Sequence, residues 1–119
     1  MIQLKTKKKI HGLGAFNDVS AVVYCQLQTF TEDLTAGNYV ANGRYYYQIT
    51  QGEQTTDHVL KSFVKEFTAS QADELFKALN ISYPTNATFS QQRNIEKNAA
   101  LLYVVASEQR FGLTQKDWI

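Results

Sequence analysis

The fold depends on the stretch Ala99-Ala100-Leu101-Leu102-Tyr103-Val104-Val105-Ala106, which places eight apolar or aromatic residues in a row. The surrounding residues predict one long helix, and a helix that is apolar all round must be covered on all sides. We expect a chain of 119 residues to cover one side of such a helix with its own sheet. The other side is then expected to be buried by another copy or by another protein, which points to assembly.

Two helices are predicted, over 69–80 and 89–111. Both follow the same start signal, in which a threonine precedes a glutamine by three residues: Thr68 with Gln71, and Thr88 with Gln91. This spacing is typical of a capping box. Gly112 is predicted to end the second helix in a left-handed conformation, with residues 113–119 following as a tail.

Four strands are predicted before the helices, over 2–10, 19–31, 39–51 and 59–67, because apolar residues alternate with polar ones. Asn42-Gly43 leaves two alternatives open, a small hairpin or a continuous strand with a bulge, and the constant parity of the flanking apolar residues favours the latter. The segment 59–67 fits a helix or a strand, and the fresh helix start at Thr68 favours a strand. On the strand interpretation, Val59, Phe63 and Phe67 share one face.

These elements predict a single α+β domain: an antiparallel sheet of about four strands, followed by two C-terminal helices packed on one face. The formal net charge of +1 argues against a dedicated nucleic-acid coat. No stretch approaches the roughly 18 consecutive apolar residues of a membrane span, so no membrane partner is expected. No secretory signal opens the sequence, which predicts synthesis in a cytosol.

Residues that could carry chemistry are sparse, so no enzyme, metal or cofactor is predicted. The two histidines, His11 and His58, and the lone Cys25 cannot supply the four ligands of a structural zinc site. His58 beside Asp57 could form an acid–base pair, but a solvated loop is the favoured interpretation. Cys25 lies in a strand pattern and is predicted to be a small buried hydrophobic residue.

Two sets of residues are predicted to make contacts. The interface set comes from the apolar run and the tail: Leu101, Tyr103, Val104, Val105 and Trp118. The surface set consists of Lys5, Lys7, Lys9, Arg44 and Tyr46. For the lysines, protection of an exposed strand edge is favoured, ahead of docking to an acidic protein and of a stacking surface for single-stranded nucleic acid.

The layout resembles that of small virion proteins of tailed phages, especially phages of Bacteroidota. The likeness lies in the lysine-rich first strand, the run from Phe67 to Phe76, the stretch Phe111-Gly112-Leu113-Thr114 and the final Asp117-Trp118. It implies a non-catalytic subunit of a neck, tail or baseplate, made in the host cytoplasm and bound to itself and to neighbouring structural proteins. The alternative is a monomeric module that binds a carbohydrate, a peptide or single-stranded nucleic acid on its tyrosine-rich sheet.

Overall fold

A four-stranded antiparallel sheet forms the centre of the computed structural model, which describes residues 2–14, 18–33, 37–78, 80, 82 and 84–119. Its strands, in spatial order, are β1 (Gln3–Lys5), β4 (Val23–Asp33), β5 (Asn38–Gln51) and β6 (Gln54–Thr68). A separate antiparallel pair consists of β2 (Ile10–Leu13) and β3 (Val19–Ala21). Two helices follow, α1 (Ala69–Ala78) and α2 (Phe89–Glu108), so the predicted α+β class is confirmed.

The first two predicted strands are each divided in the structure. Residues 2–10 do not form one strand, because the chain leaves β1 at Thr6, whose hydroxyl accepts from the Val23 amide and donates to the Lys8 carbonyl. A separate strand, β2, begins at Ile10 and extends to Leu13. The second predicted strand, 19–31, is interrupted at Val22 between the small sheet and the large one.

Strand β5 runs through Asn42-Gly43 without a turn, which confirms the continuous-strand prediction. The bulge lies in the neighbouring strand: Leu27 pairs with Gly43 and Thr29 with Asn42, so Gln28 is the extra residue. An extra residue reverses the alternation beyond it. Phe30 therefore turns to the core face of the sheet, where it packs on Tyr39 and Phe67, whereas the unbroken pattern placed it on the opposite face.

A second bulge corrects the prediction for β6. Residues 59–67 are indeed a strand, but Tyr45 pairs with Lys61 and Tyr46 with Val59, so Leu60 is the extra residue. Val59 consequently faces away from the core and is 53% exposed. Phe63 and Phe67 remain on the core face and are buried.

Both capping boxes form as predicted. Thr68 and Thr88 accept from the amides of Gln71 and Gln91, and the glutamine side chains accept from the threonine amides in return. Helix α2 ends earlier than predicted, because Gln109 already takes the left-handed conformation at its end. Gly112 also has a positive φ of 70°, as predicted, but it lies in the turn that follows the helix. Asn80 has a positive φ just beyond α1, and Leu79 lies outside the described residues.

The hydrophobic core lies between the sheet and α2. From β4 and β5 it takes Val23, Cys25, Leu27, Ala41, Tyr45 and Tyr47, and from α2 Ala100, Leu101, Val104 and Val105. Helix α1 contributes no fully buried residue. Two 3₁₀ turns, Arg110–Gly112 and Gln115–Asp117, then bring Trp118 into the same core.

Candidate interaction surface

Most of the predicted interface residues lie inside the protein's own core. Leu101 and Val104 are 0% exposed, Val105 is 1% exposed and Trp118 is 5% exposed. These four side chains are not available to a partner in this fold. Of the predicted set, only Tyr103 reaches the surface, at 36% exposure, and its ring packs edge-on against Phe67 with the Lys65 ammonium 5.3 Å from its centroid.

The C-terminal segment explains how one chain covers the apolar helix. Helix α2 packs on β1 and β4 and on the turn Gln115–Asp117. Trp118 then packs edge-on against Tyr45 with 6.0 Å between ring centroids. The sequence pattern identified the sheet as one cover. It also favoured packing of Trp118 back on that sheet, because a terminal tryptophan is costly to leave in water, and its 5% exposure confirms this.

The same segment covers the edge of β1. Lys5 and Ile119 exchange two backbone hydrogen bonds of 2.8 Å, and the Lys7 amide donates to the Asp117 carbonyl at 2.9 Å. The side chains of Lys5, Lys7 and Lys9 are exposed. The lysine-rich segment therefore borders a strand edge, but backbone pairing by residues 117–119 closes that edge.

The three adjacent tyrosines do not present open rings. Tyr45 and Tyr47 point into the core, as their parity predicted. Tyr46 points to the opposite face but is only 4% exposed, because its ring stacks on Tyr24 at 5.1 Å and the Arg44 guanidinium covers it at 4.5 Å. A stacking surface for bases or sugars therefore lacks the ring faces it requires.

The uncovered face of the sheet is a hydrogen-bonded polar network. Arg44 donates to the Gln26 side-chain oxygen at 2.9 Å and to the Asp57 carboxylate at 3.0 Å. Gln48 also donates to Asp57, and these bonds lower the pKa of that carboxyl. The Tyr46 hydroxyl donates to Gln3 at 2.8 Å. These groups are thus engaged with one another across strands β1, β4, β5 and β6.

The isolated reactive residues are also held apart. Burial raises the pKa of the Cys25 thiol to about 12, so it remains protonated and unreactive near neutral pH, as a buried hydrophobic residue would. Asp57 and His58 are neighbours in β6 rather than in a loop, so they lie on opposite faces. His58 stacks on Tyr47 with 5.1 Å between centroids, while Asp57 binds Arg44.

The described part of the chain holds neither a cluster of metal-binding side chains nor a helix of membrane-spanning length and apolarity. It contains no group of three or more histidine, cysteine or acidic residues that could hold a metal ion. None of its helices is both long and apolar enough to cross a membrane.

The strongest candidate surface is the free edge of β6. This strand is the last of the four, and within the described ranges no strand pairs with its outer side along Gln54–Thr68. An unpaired edge offers a row of backbone donors and acceptors to another strand. Val64 lies in this edge with 67% of its surface exposed. Sequence reasoning missed this surface, because strand order cannot be read from periodicity.

Comparisons with known proteins add no further constraint. No protein-family model, no curated protein and no solved structure matches this chain.

Proposed function

We propose that this protein is a non-catalytic structural subunit that assembles through edge-to-edge pairing of β6 with a second copy of itself. The observation that supports the proposal is the long unpaired edge of β6, with the exposed Val64 near its C-terminal end. Pairing of two such edges would extend the sheet from four strands to eight. The resemblance to phage virion proteins supports a virion as the setting, and that part of the proposal rests on the sequence alone.

The charges along β6 suit a two-fold pairing centred on Val64. In an isologous interface the same patch meets itself, so residues equally far from the centre face each other. Ser62 would face Glu66, and Phe63 would face Lys65. No like charges are opposed in this register, and Val64 would face Val64 of the second copy. Such cross-strand neighbours contribute roughly 0.2–1 kcal/mol each.

Charge substitutions at Val64 test the proposal, because two copies of the new charge would face each other. The wild-type protein should show twice its monomer mass of 13.5 kDa by light scattering. Val64→Lys and Val64→Asp should each be monomeric, with unchanged circular dichroism, because the position is exposed. Mixing the two variants should restore a heterodimer, since opposite charges then meet across the axis.

Two controls accompany the mixing experiment. Val64→Thr keeps a neutral, β-branched side chain and should remain dimeric. Ile119→Lys adds the same charge at another exposed apolar position and should also remain dimeric. A monomeric wild type at every concentration would overturn the proposal, and so would dimers of Val64→Lys that are as stable as those of the wild type.

A further inference from the structure

A cavity of about 90 Å³ lies between the core face of the sheet and the two helices. One water needs roughly 10–15 Å³ of such space, and an engineered cavity of about 150 Å³ holds benzene. The cavity therefore has room for a compact group of a few heavy atoms. We call it the aromatic–acidic cavity, after the residues that line it: Phe30, Tyr39, Phe67, Phe76, Asp73 and Glu96.

Three aromatic rings that line the cavity on the sheet side stack on one another. Phe30 and Tyr39 lie 5.7 Å apart between centroids, and Tyr39 and Phe67 lie 6.0 Å apart. Their planes differ by only 24° and 25°. Ring faces carry the negative lobes of the aromatic quadrupole, so a cation is attracted to any face that the stacking leaves open, as the Phe30 face that Arg93 approaches shows.

The charged groups around these rings are mostly negative. Asp73 and Glu96 line the cavity, and Glu32 lies beside Tyr39. Burial raises the pKa of the Tyr39 hydroxyl, and the negative charges of Glu32 and Glu96 raise it further. Glu32 and Glu96 share the Arg93 guanidinium, and Asp73 adds a third negative charge at the cavity lining.

Arg93 already shows how a cation is held on this aromatic surface. Its guanidinium lies 5.6 Å from the centroid of Phe30 and binds Glu32 at 2.8 Å and Glu96 at 3.0 Å. Ring face and carboxylate thus act together on one cation. Asp73 enters the cavity from α1, on the side opposite the sheet, and adds a negative charge for a second cation.

We propose that the aromatic–acidic cavity binds a trimethylammonium group. Such a group is cationic and compact and has no N–H to satisfy, so ring faces and nearby carboxylates are its natural environment. This site is separate from the β6 edge, and the inference does not depend on the proposed function.

The test is a titration followed by the amide chemical shifts of the full chain at fixed ionic strength. Choline should bind at least tenfold more tightly than 3,3-dimethyl-1-butanol, its neutral analogue of the same shape. The same group occurs in choline and in trimethylated lysine side chains, so a trimethyllysine derivative is titrated as well. The compound with the higher affinity identifies which of the two sources the cavity prefers. Equal binding of choline and its neutral analogue would overturn the proposal.

Matched variants on α1 locate the site. Asp73→Asn should weaken choline binding at least threefold, because it removes a charge that lines the cavity. Glu74→Gln makes the same change at the next residue, outside the cavity lining, and should leave the affinity unchanged. Both side chains are exposed, so both variants should fold. Equal affinities of the two variants would contradict the assignment.

Discussion

At the residue scale, Gly43 lies where the chain can accommodate no side chain. A Cβ at this position would overlap the Gln26 carbonyl oxygen and the ring of Phe63. Both neighbours are fixed by the sheet: the Gln28 bulge sets the path of β4 next to Gly43, and Phe63 faces it from β6. Gly43 is thus required for close packing rather than for a turn, although Asn-Gly is a common hairpin signal.

Gly43→Ala should destabilise the protein by about 2 kcal/mol or more, because backbone and ring would both have to move. The measurement is urea unfolding followed by circular dichroism. Asn42→Ala is the matched control at the adjacent position, where a Cβ already exists, and should change the free energy of unfolding by about 0.5 kcal/mol or less. Equal effects of the two variants would show that the overlap at Gly43 relaxes at little cost.

At the element scale, the segment 113–119 forms backbone hydrogen bonds as an additional strand would, and it adds Trp118 to the hydrophobic core. Its backbone pairs with Lys5 of β1 through Ile119 and with Lys7, beyond the end of β1, through Asp117, and its indole packs on Tyr45. Without this segment, the edge of β1 and one side of α2 would face solvent. The segment is therefore part of the folded core, as the sequence favoured for Trp118, but its backbone pairing with Lys5 was not predicted.

Trp118→Ala should lower the free energy of unfolding by about 3–5 kcal/mol, the usual cost of removing a buried aromatic side chain. The amides of Lys5 and Ile119 should also exchange faster with solvent, because the segment loses its anchor. Ile119→Ala removes an exposed apolar side chain and serves as the control. A loss below about 1 kcal/mol for Trp118→Ala would mean that the indole contributes little to the core.

The elements themselves were predictable where the signal is local. Thr68 and Thr88 marked both helix starts because a capping box is a contact between residues three apart. The bulges at Gln28 and Leu60 were not predictable, since an extra residue leaves the local composition unchanged and only the partner strand reveals it. Val59 was assigned to the wrong face for this reason, and an unbroken alternation along β4 would misplace Phe30 in the same way.

At the scale of the whole molecule, the apolar run around Val104 has a different meaning from the predicted one. It indicated a helix that must be covered on every side, and the structure covers most of the run, with Tyr103 left 36% exposed. The cover comes from within the chain, through β1 and the segment ending at Trp118. The candidate surface for assembly therefore moves from α2 to the edge of β6, and only the exposed Tyr103 remains from the earlier set.

The pairing of Lys5 with Ile119 has a consequence for the order of folding. The long β5–β6 hairpin closes through the short turn at Gly52, whereas the Lys5–Ile119 contact closes a loop of nearly the whole chain and costs more entropy. We expect the hairpin to be formed in the folding transition state and the terminal segment to dock after it. Trp118→Phe should then speed unfolding and leave the refolding rate unchanged, while Ala41→Gly should slow refolding. Stopped-flow circular dichroism measures both rates. Slower refolding of Trp118→Phe would show that the terminal segment is already docked in the folding transition state.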